Sequence, residues 1–163
     1  MKVSVILPTY NEAGNIVALV QQILKVMPNG IDPDVIVVDD NSPDQTFSIV
    51  QEAFASNPLV RVLLRTQDRG LAKSIRYGIE NAQGDYVLVM DTDFTHDPTE
   101  IPKMLHVAQV YDIVSGSRFC PGSSGSHQRR YRLAIEGTQN DQIASRYSST
   151  PWWKMVAKCW SPA

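Results

Sequence analysis

Short apolar runs divide the first two thirds of the chain, and each gives way to polar residues. Val3 to Leu7, Val35 to Val38, Leu59 to Leu64, Tyr86 to Met90 and Asp112 to Gly116 read as strands. The runs are nearly continuous rather than alternating, the pattern of strands covered on both faces in a parallel sheet. Between the first two runs, Ala13 to Met27 carries Ile16, Leu19, Val20, Ile23, Leu24 and Met27, which is helical spacing. Pro28-Asn29-Gly30 ends that helix. Ser42-Pro43-Asp44-Gln45 has the spacing of a capping box, with serine as cap and proline at the first helical position. Gly70 opens a further helix to about Ala82. Another begins at Asp97-Pro98-Thr99-Glu100, capped by Asp97 or by Thr99. The order predicts an α/β fold with a mostly parallel sheet and helices on both faces.

In such sheets ligands gather at the carboxyl ends of the strands. The fourth run ends in Asp91-Thr92-Asp93. Side chains at i and i+2 leave an extended chain on the same side, so both carboxylates can converge on one hard cation, Mg²⁺ or Mn²⁺, shared with substrate phosphates. A strand ending in a polar turn also yields Asp-x-Asp. Other strand ends favour the ligand reading. The first leads into Pro8-Thr9-Tyr10-Asn11-Glu12, where Tyr10 offers a ring face and Glu12 an acceptor for a base, although Asn11 and Glu12 also suit a helix start. The second ends in Asp39-Asp40-Asn41, acidic groups suited to ribose or base N–H groups. The fifth leads into Ser117-Arg118, whose planar fork suits a diphosphate. Arg65, Arg69 and Lys73 read as solvated loop charges, and His96 as a turn histidine with a local hydrogen bond rather than a metal ligand.

Composition narrows the field. The chain has 163 residues, a net charge of −2 and 43% hydrophobic residues, enough for one domain with a core and no sign of a nucleic-acid surface. No apolar run approaches the roughly 18–20 residues of a membrane span. The amino terminus reaches Pro8 too soon for a signal peptide. Cys120 and Cys159 read as reduced thiols of a cytosolic protein. From Cys120 the texture changes to glycine, serine and a basic run at Arg129, Arg130 and Arg132. A helix is expected around Arg130 to Arg146, and no partner strand is evident near Trp152, Trp153 and Trp160.

The motifs Val5-Ile6-Leu7-Pro8-Thr9-Tyr10-Asn11-Glu12, Val37-Val38-Asp39-Asp40-Asn41-Ser42-Pro43-Asp44, Arg69-Gly70-Leu71, Gly84-Asp85, Met90-Asp91-Thr92-Asp93-Phe94-Thr95-His96-Asp97-Pro98 and Gly116-Ser117-Arg118-Phe119 resemble, in order and spacing, the family 2 glycosyltransferases of GT-A fold. Within that family they are most similar to the dolichol-phosphate mannose synthase group of polyprenyl-phosphate glycosyltransferases. The resemblance implies a Rossmann-like nucleotide-diphospho-sugar transferase fold and a GDP-mannose or UDP-sugar donor. It implies that Pro8, Tyr10, Glu12, Val38, Asp40 and Thr92 line the nucleotide. Asp91 and Asp93 would bind the metal, with Thr95 as a further polar ligand, and Arg118 would face the diphosphate and sugar. It further implies transfer with inversion to a polyprenyl phosphate at the cytoplasmic membrane face, with a membrane-anchored partner subunit in some relatives. A phosphate acceptor is already ionised, which fits the lack of an obvious general base.

The resemblance covers about the first 120 residues. Residues 1–119 are the expected donor-binding core, and residues 120–163 a divergent or incomplete acceptor-side tail lacking the family's Asp-x-x-Ser-Gly-Phe-like stretch. A nucleotide-sugar-binding fragment without turnover is therefore the main alternative. A phospho-receiver domain would need its acidic pair after the first strand and a lysine after the fifth. A phosphatase built on Asp91-Thr92-Asp93-Phe94-Thr95 would need an acidic pair downstream, and none follows Asp97.

Overall fold

The computed structural model describes residues 1–117, 132–136 and 155–158. Its elements are β1 (Lys2–Thr9), α1 (Ile16–Val26), β2 (Asp32–Asp39), α2 (Thr46–Ala53), β3 (Val60–Leu64), α3 (Leu71–Glu80), β4 (Tyr86–Val89), a 3₁₀ turn (Pro98–Glu100), α4 (Ile101–Ala108), β5 (Ile113–Ser117), β6 (Arg132–Glu136) and β7 (Met155–Lys158). The strands form one sheet in the order β3-β2-β1-β4-β7-β5-β6. β1, β2, β3 and β4 are mutually parallel. β7 runs antiparallel to both β4 and β5, so β5 points the same way as β4.

Alternation along the central strands serves two cores. Val3, Val5 and Leu7 of β1, with Val35 and Val37 of β2, meet Ile16, Leu19, Val20 and Ile23 of α1, Val50 of α2, and Ile101 and Leu105 of α4. Ile6, Ile36, Val38, Val87 and Val89 face the other way and pack on Ile75 of α3. Each fully buried aliphatic side chain contributes about 1.5–3 kcal/mol. Burial on both faces explains why the runs read as continuous. α3 lies close to the sheet because Gly78 has no side chain: an added Cβ would lie 2.5 Å from Cγ2 of Ile6.

Two expectations are corrected. The segment expected as a helix around Arg130 to Arg146 contains a strand, β6, paired antiparallel with β5. The stretch thought to lack a partner strand contains β7, which inserts between β4 and β5, so β5 is not the immediate neighbour of the Asp91 strand. In both segments tertiary pairing overrides a weak local pattern.

A polar clasp closes the amino-terminal edge. Arg61 of β3 donates from Nε and Nη2 to the two Asp34 oxygens, each at 2.8 Å, and Ser4 Oγ donates to Asp34 at 2.7 Å. Arg61 also donates to the Asn81 carbonyl, and the Gly84 N–H donates to Ser4 Oγ at 2.9 Å. Burial pushes the Asp34 carboxyl up, but the hydrogen bonds from Arg61 and Ser4 outweigh it and hold the group below its ordinary value. A depressed folded-state pKa means stability that is present above the unfolded value and lost as pH falls through the folded one. Stability should therefore begin to decline below about pH 3.9, where the unfolded aspartate takes up its proton. Asp34→Ala should cost about 2–3 kcal/mol in urea unfolding at pH 7, because it strands a partly buried guanidinium. It should also flatten the acid limb; an unchanged midpoint at pH 7 and an unchanged acid limb would show the clasp to be idle.

Candidate active site

Parallel register brings three sequence-predicted positions level at the carboxyl edge. Pro8 of β1 pairs with Val38 of β2. Ile6 pairs with Val89 of β4, and the Met90 N–H donates to the Ile6 carbonyl at 3.1 Å. Continuing that register places Asp91 beside Pro8. Adjacent strands lie about 4.8 Å apart, so Val38 and Asp91 flank Pro8 across roughly 10 Å of edge. Val38 itself is fully buried and contributes its backbone to this edge.

Beyond the strands, two loops turn through asparagines in the left-handed region, Asn11 at φ 60° and Asn41 at φ 57°. Asparagine tolerates that conformation better than most residues. Three successive N–H groups of the first loop donate to side chains of the second: Asn11 to Ser42 Oγ at 2.9 Å, Glu12 to Thr46 Oγ1 at 3.1 Å and Ala13 to Asp44 at 3.0 Å. Ser42 Oγ donates in turn to Asp39 at 2.5 Å, and the fully buried Asp39 also accepts from Thr9 Oγ1 and the Ser42 N–H. Ser42 is thus not the cap of α2, which starts at Thr46 with its N–H on Asp44. Its hydroxyl ties the two strand-end loops together. Tyr10 stands out from this knot, 48% exposed, and the Glu12 carboxylate accepts from Asn15 Nδ2 at 3.1 Å.

Asp40 is 6% exposed, and both its oxygens accept from protein groups. One takes Arg65 Nη1 and the other the Gly70 N–H at 2.8 Å. Arg65 continues to Ser74 Oγ and the Asp68 carbonyl, each at 2.8 Å. The Asp40 carboxylate therefore anchors the loop before α3. That loop carries Arg69 over the Tyr10 ring, 5.4 Å from its centroid. In the sequence Arg65 and Arg69 look like solvated loop charges; the acidic pair at the end of β2 is the signal for a cationic partner.

The chain bends sharply after Asp91. Phe94 sits at φ 58°, a strained conformation for a bulky residue, and strain of this kind concentrates at functional sites. The Thr95 N–H donates to Asp93 at 2.8 Å. His96 is buried beneath the turn; its Nδ1 accepts from the Asp91 N–H at 3.1 Å, which leaves the proton on Nε2, 3.6 Å from an Asp91 oxygen. The ring therefore buttresses the turn. Thr92 is buried, Asp91 and Thr95 are half-buried and Asp93 is exposed. Burial pushes the Asp93 carboxyl up, but the Thr95 hydroxyl and N–H hold it below its ordinary value. Asp93 is therefore ionised at neutral pH. Among the described residues no three His, Cys, Asp or Glu cluster as a complete metal cage. Two carboxylates and a hydroxyl do suit Mg²⁺ or Mn²⁺, which take oxygen donors and complete their shell from phosphates and water. Arg118 lies outside the described residues.

The architecture is that of the GT-A glycosyltransferase fold. The model of the family "Glycosyl transferase family 2" matches residues 4–160. The chain is 40% identical over 136 residues to a dolichol-phosphate mannosyltransferase of Pyrococcus furiosus, covering 83% of this chain and 38% of that protein. It is 36% identical to an undecaprenyl-phosphate mannosyltransferase of Micrococcus luteus, covering 75% and 50%. Among solved structures it resembles a Pyrobaculum calidifontis mannosyltransferase in complex with GDP-Man and Mn²⁺ (TM-score 0.56, 25% identity, 69% of this chain and 34% of that one). It also resembles S. aureus TarS in complex with UDP-GlcNAc (TM-score 0.57, 29% identity, 69% and 33%). The chain belongs to glycosyltransferase family 2. It spans half or less of the length of these curated relatives.

The Gly70–Asp40 bond makes a local prediction. A hydrogen bond to a charged group contributes about 1.5–3 kcal/mol. Asp40→Ala should speed amide exchange at Gly70 by about tenfold or more while Leu7 and Val37 in the core keep their protection. Unchanged exchange at Gly70 would show that Asp40 does not hold the loop.

Proposed function

We propose that the chain moves a sugar, mannose in the first instance, from a nucleoside-diphosphate donor to a polyprenyl phosphate of the dolichyl type, with inversion. The observation that carries this reading is the convergence of Tyr10, Pro8, Val38 and the Asp91–Asp93 turn on one sheet edge. Mannosyl transfer to polyprenyl phosphates is what the curated relatives are named for, which supports that acceptor class. Among the described residues no helix is long and apolar enough to cross a membrane. The acceptor would be met at the cytoplasmic membrane surface, where a membrane-anchored partner subunit could present it.

In this reading Pro8, Tyr10, Glu12, Val38, Asp40 and Thr92 would line the nucleotide. Asp91 and Asp93 would hold the metal with help from Thr95, and Arg118 would face the diphosphate and sugar. Mg²⁺ or Mn²⁺, when bound, supplies Lewis-acid stabilisation of the leaving diphosphate. An acceptor phosphate oxygen attacks the anomeric carbon from the face opposite the diphosphate. The new C–O bond forms as the bond to the diphosphate breaks, and the electron pair leaves with the nucleoside diphosphate. The nucleophile is already ionised at neutral pH, so the protein's task is placement and charge stabilisation rather than proton removal. A second reading is donor binding without turnover, since the motifs that carry the resemblance are those expected of a donor-binding core.

Calorimetric titration of GDP-mannose and UDP-sugars with and without Mn²⁺ tests the proposal. Metal-dependent binding of one donor is expected. Asp93→Ala should abolish the metal dependence yet shift stability by no more than about 0.5 kcal/mol, as for an exposed surface position. Retained Mn²⁺-dependent affinity in that variant would remove the metal assignment. Turnover with a polyprenyl phosphate in detergent separates the transferase from the binding-only reading.

A further inference from the structure

We infer that His96 is a positioning residue that holds the Asp91 carboxylate in one orientation toward a divalent cation, taking from the proposed function that Asp91 and Asp93 hold the metal. His96 is 7% exposed, and the proposed chemistry gives it no part. A buried imidazole costs free energy unless its ring nitrogens meet polar groups, and an apolar residue would fill the same space more cheaply. Both nitrogens address one residue. Nδ1 accepts from the Asp91 N–H at 3.1 Å, and Nε2, which carries the proton, lies 3.6 Å from Asp91 Oδ2. The ring thus engages Asp91 by backbone and side chain together. At 3.6 Å the second approach is a charge–dipole attraction rather than a full hydrogen bond. Burial of the ring strengthens it, because little water competes.

The two carboxylates of the turn are steadied by different means. Asp93 accepts from the Thr95 N–H at 2.8 Å, a donor of its own turn. Asp91 meets the His96 ring, five residues on. The Asp91 side chain is 29% exposed, open enough to swing among staggered rotamers unless a neighbour selects one. His96 can make that selection because its own backbone is anchored. Asp97 caps the following 3₁₀ turn by accepting from the Thr99 N–H at 2.9 Å, and Pro98 is buried. The turn runs into α4, whose Ile101 and Leu105 lie in the core. The path from core to carboxylate is therefore short: α4, the capped turn, the imidazole, Asp91. Groups that orient a metal's ligands without touching the metal change its affinity by about 10–100-fold. A carboxylate already held in one rotamer loses less freedom when the cation binds.

Asparagine and glutamine divide the two contacts, since asparagine sets its amide near the place of Nδ1 and glutamine near that of Nε2. The test compares the wild-type chain, His96→Asn and His96→Gln, with folding checked by circular dichroism. In the metal-free protein, three-bond couplings to the Asp91 carboxyl carbon report its side-chain rotamer, and amide exchange reports its N–H. Titration of Mn²⁺ alone, followed by electron paramagnetic resonance, gives the metal affinity. The wild type should hold one Asp91 rotamer. His96→Asn should keep the amide protected, let the rotamer average, and weaken Mn²⁺ binding by about tenfold. His96→Gln should speed exchange at Asp91 yet keep the rotamer and most of the Mn²⁺ affinity. A single rotamer retained in His96→Asn would overturn the proposal, as would unchanged Mn²⁺ affinity beside an averaged rotamer. So would equal losses in both variants, the mark of a merely structural ring. Averaging already present in the wild type would overturn the positioning role alone. One fixed Asp91 rotamer in a folded wild type that binds no Mn²⁺ would remove the metal reading, and this inference with it.

Discussion

Parallel backbone pairing of β1 with β2 on one side and β4 on the other is the interaction on which the rest depends. It sets Pro8, Val38 and Asp91 level and sends all three chains out of the sheet at the same edge. Parallel strands need long crossovers, and α1, α2 and α3 supply them while covering both faces. The strands of this edge are buried, and each loop that leaves it is tied back to a neighbouring loop or strand end within a few residues.

Buried carboxylates do much of that tying. Asp34, Asp39 and Asp40 are all nearly inaccessible, and each is met by donors from a different element. An unpaired buried charge costs several kcal/mol, so such groups persist only when their partners are in place. Asp34 clasps the amino-terminal edge, Asp39 knots the two strand-end loops, and Asp40 fixes the loop before α3. The exposed Asp93 differs in kind. It is steadied by its own turn, contributes little to the core, and remains open to solvent.

Much of this was legible in the sequence. The apolar runs located the strands because burial on both faces leaves an unbroken hydrophobic signature, and Asp91 and Asp93 stood out because they interrupt one. The capping box at Ser42 to Gln45 misled, since serine, proline and glutamine at that spacing look the same whether the hydroxyl caps its own helix or bridges to Asn11 across 31 residues. β6 and β7 were missed because short strands that pair only through tertiary contacts carry little periodicity. The contact of Arg69 with Tyr10 is hidden for a related reason: the two lie 59 residues apart, and a loop arginine has the same appearance in solvent or over a ring.

The most direct test of the central claim, that the Tyr10 edge and the Asp91–Asp93 turn form one donor site, is paramagnetic broadening by Mn²⁺ in the presence of GDP, read on backbone amides. Broadening should be strongest at Asp91, Thr92 and Asp93, reach the Tyr10 loop, and spare Asp34 and Gln83 at the opposite edge. Broadening centred elsewhere, or spread evenly over the acidic surface, would contradict the account.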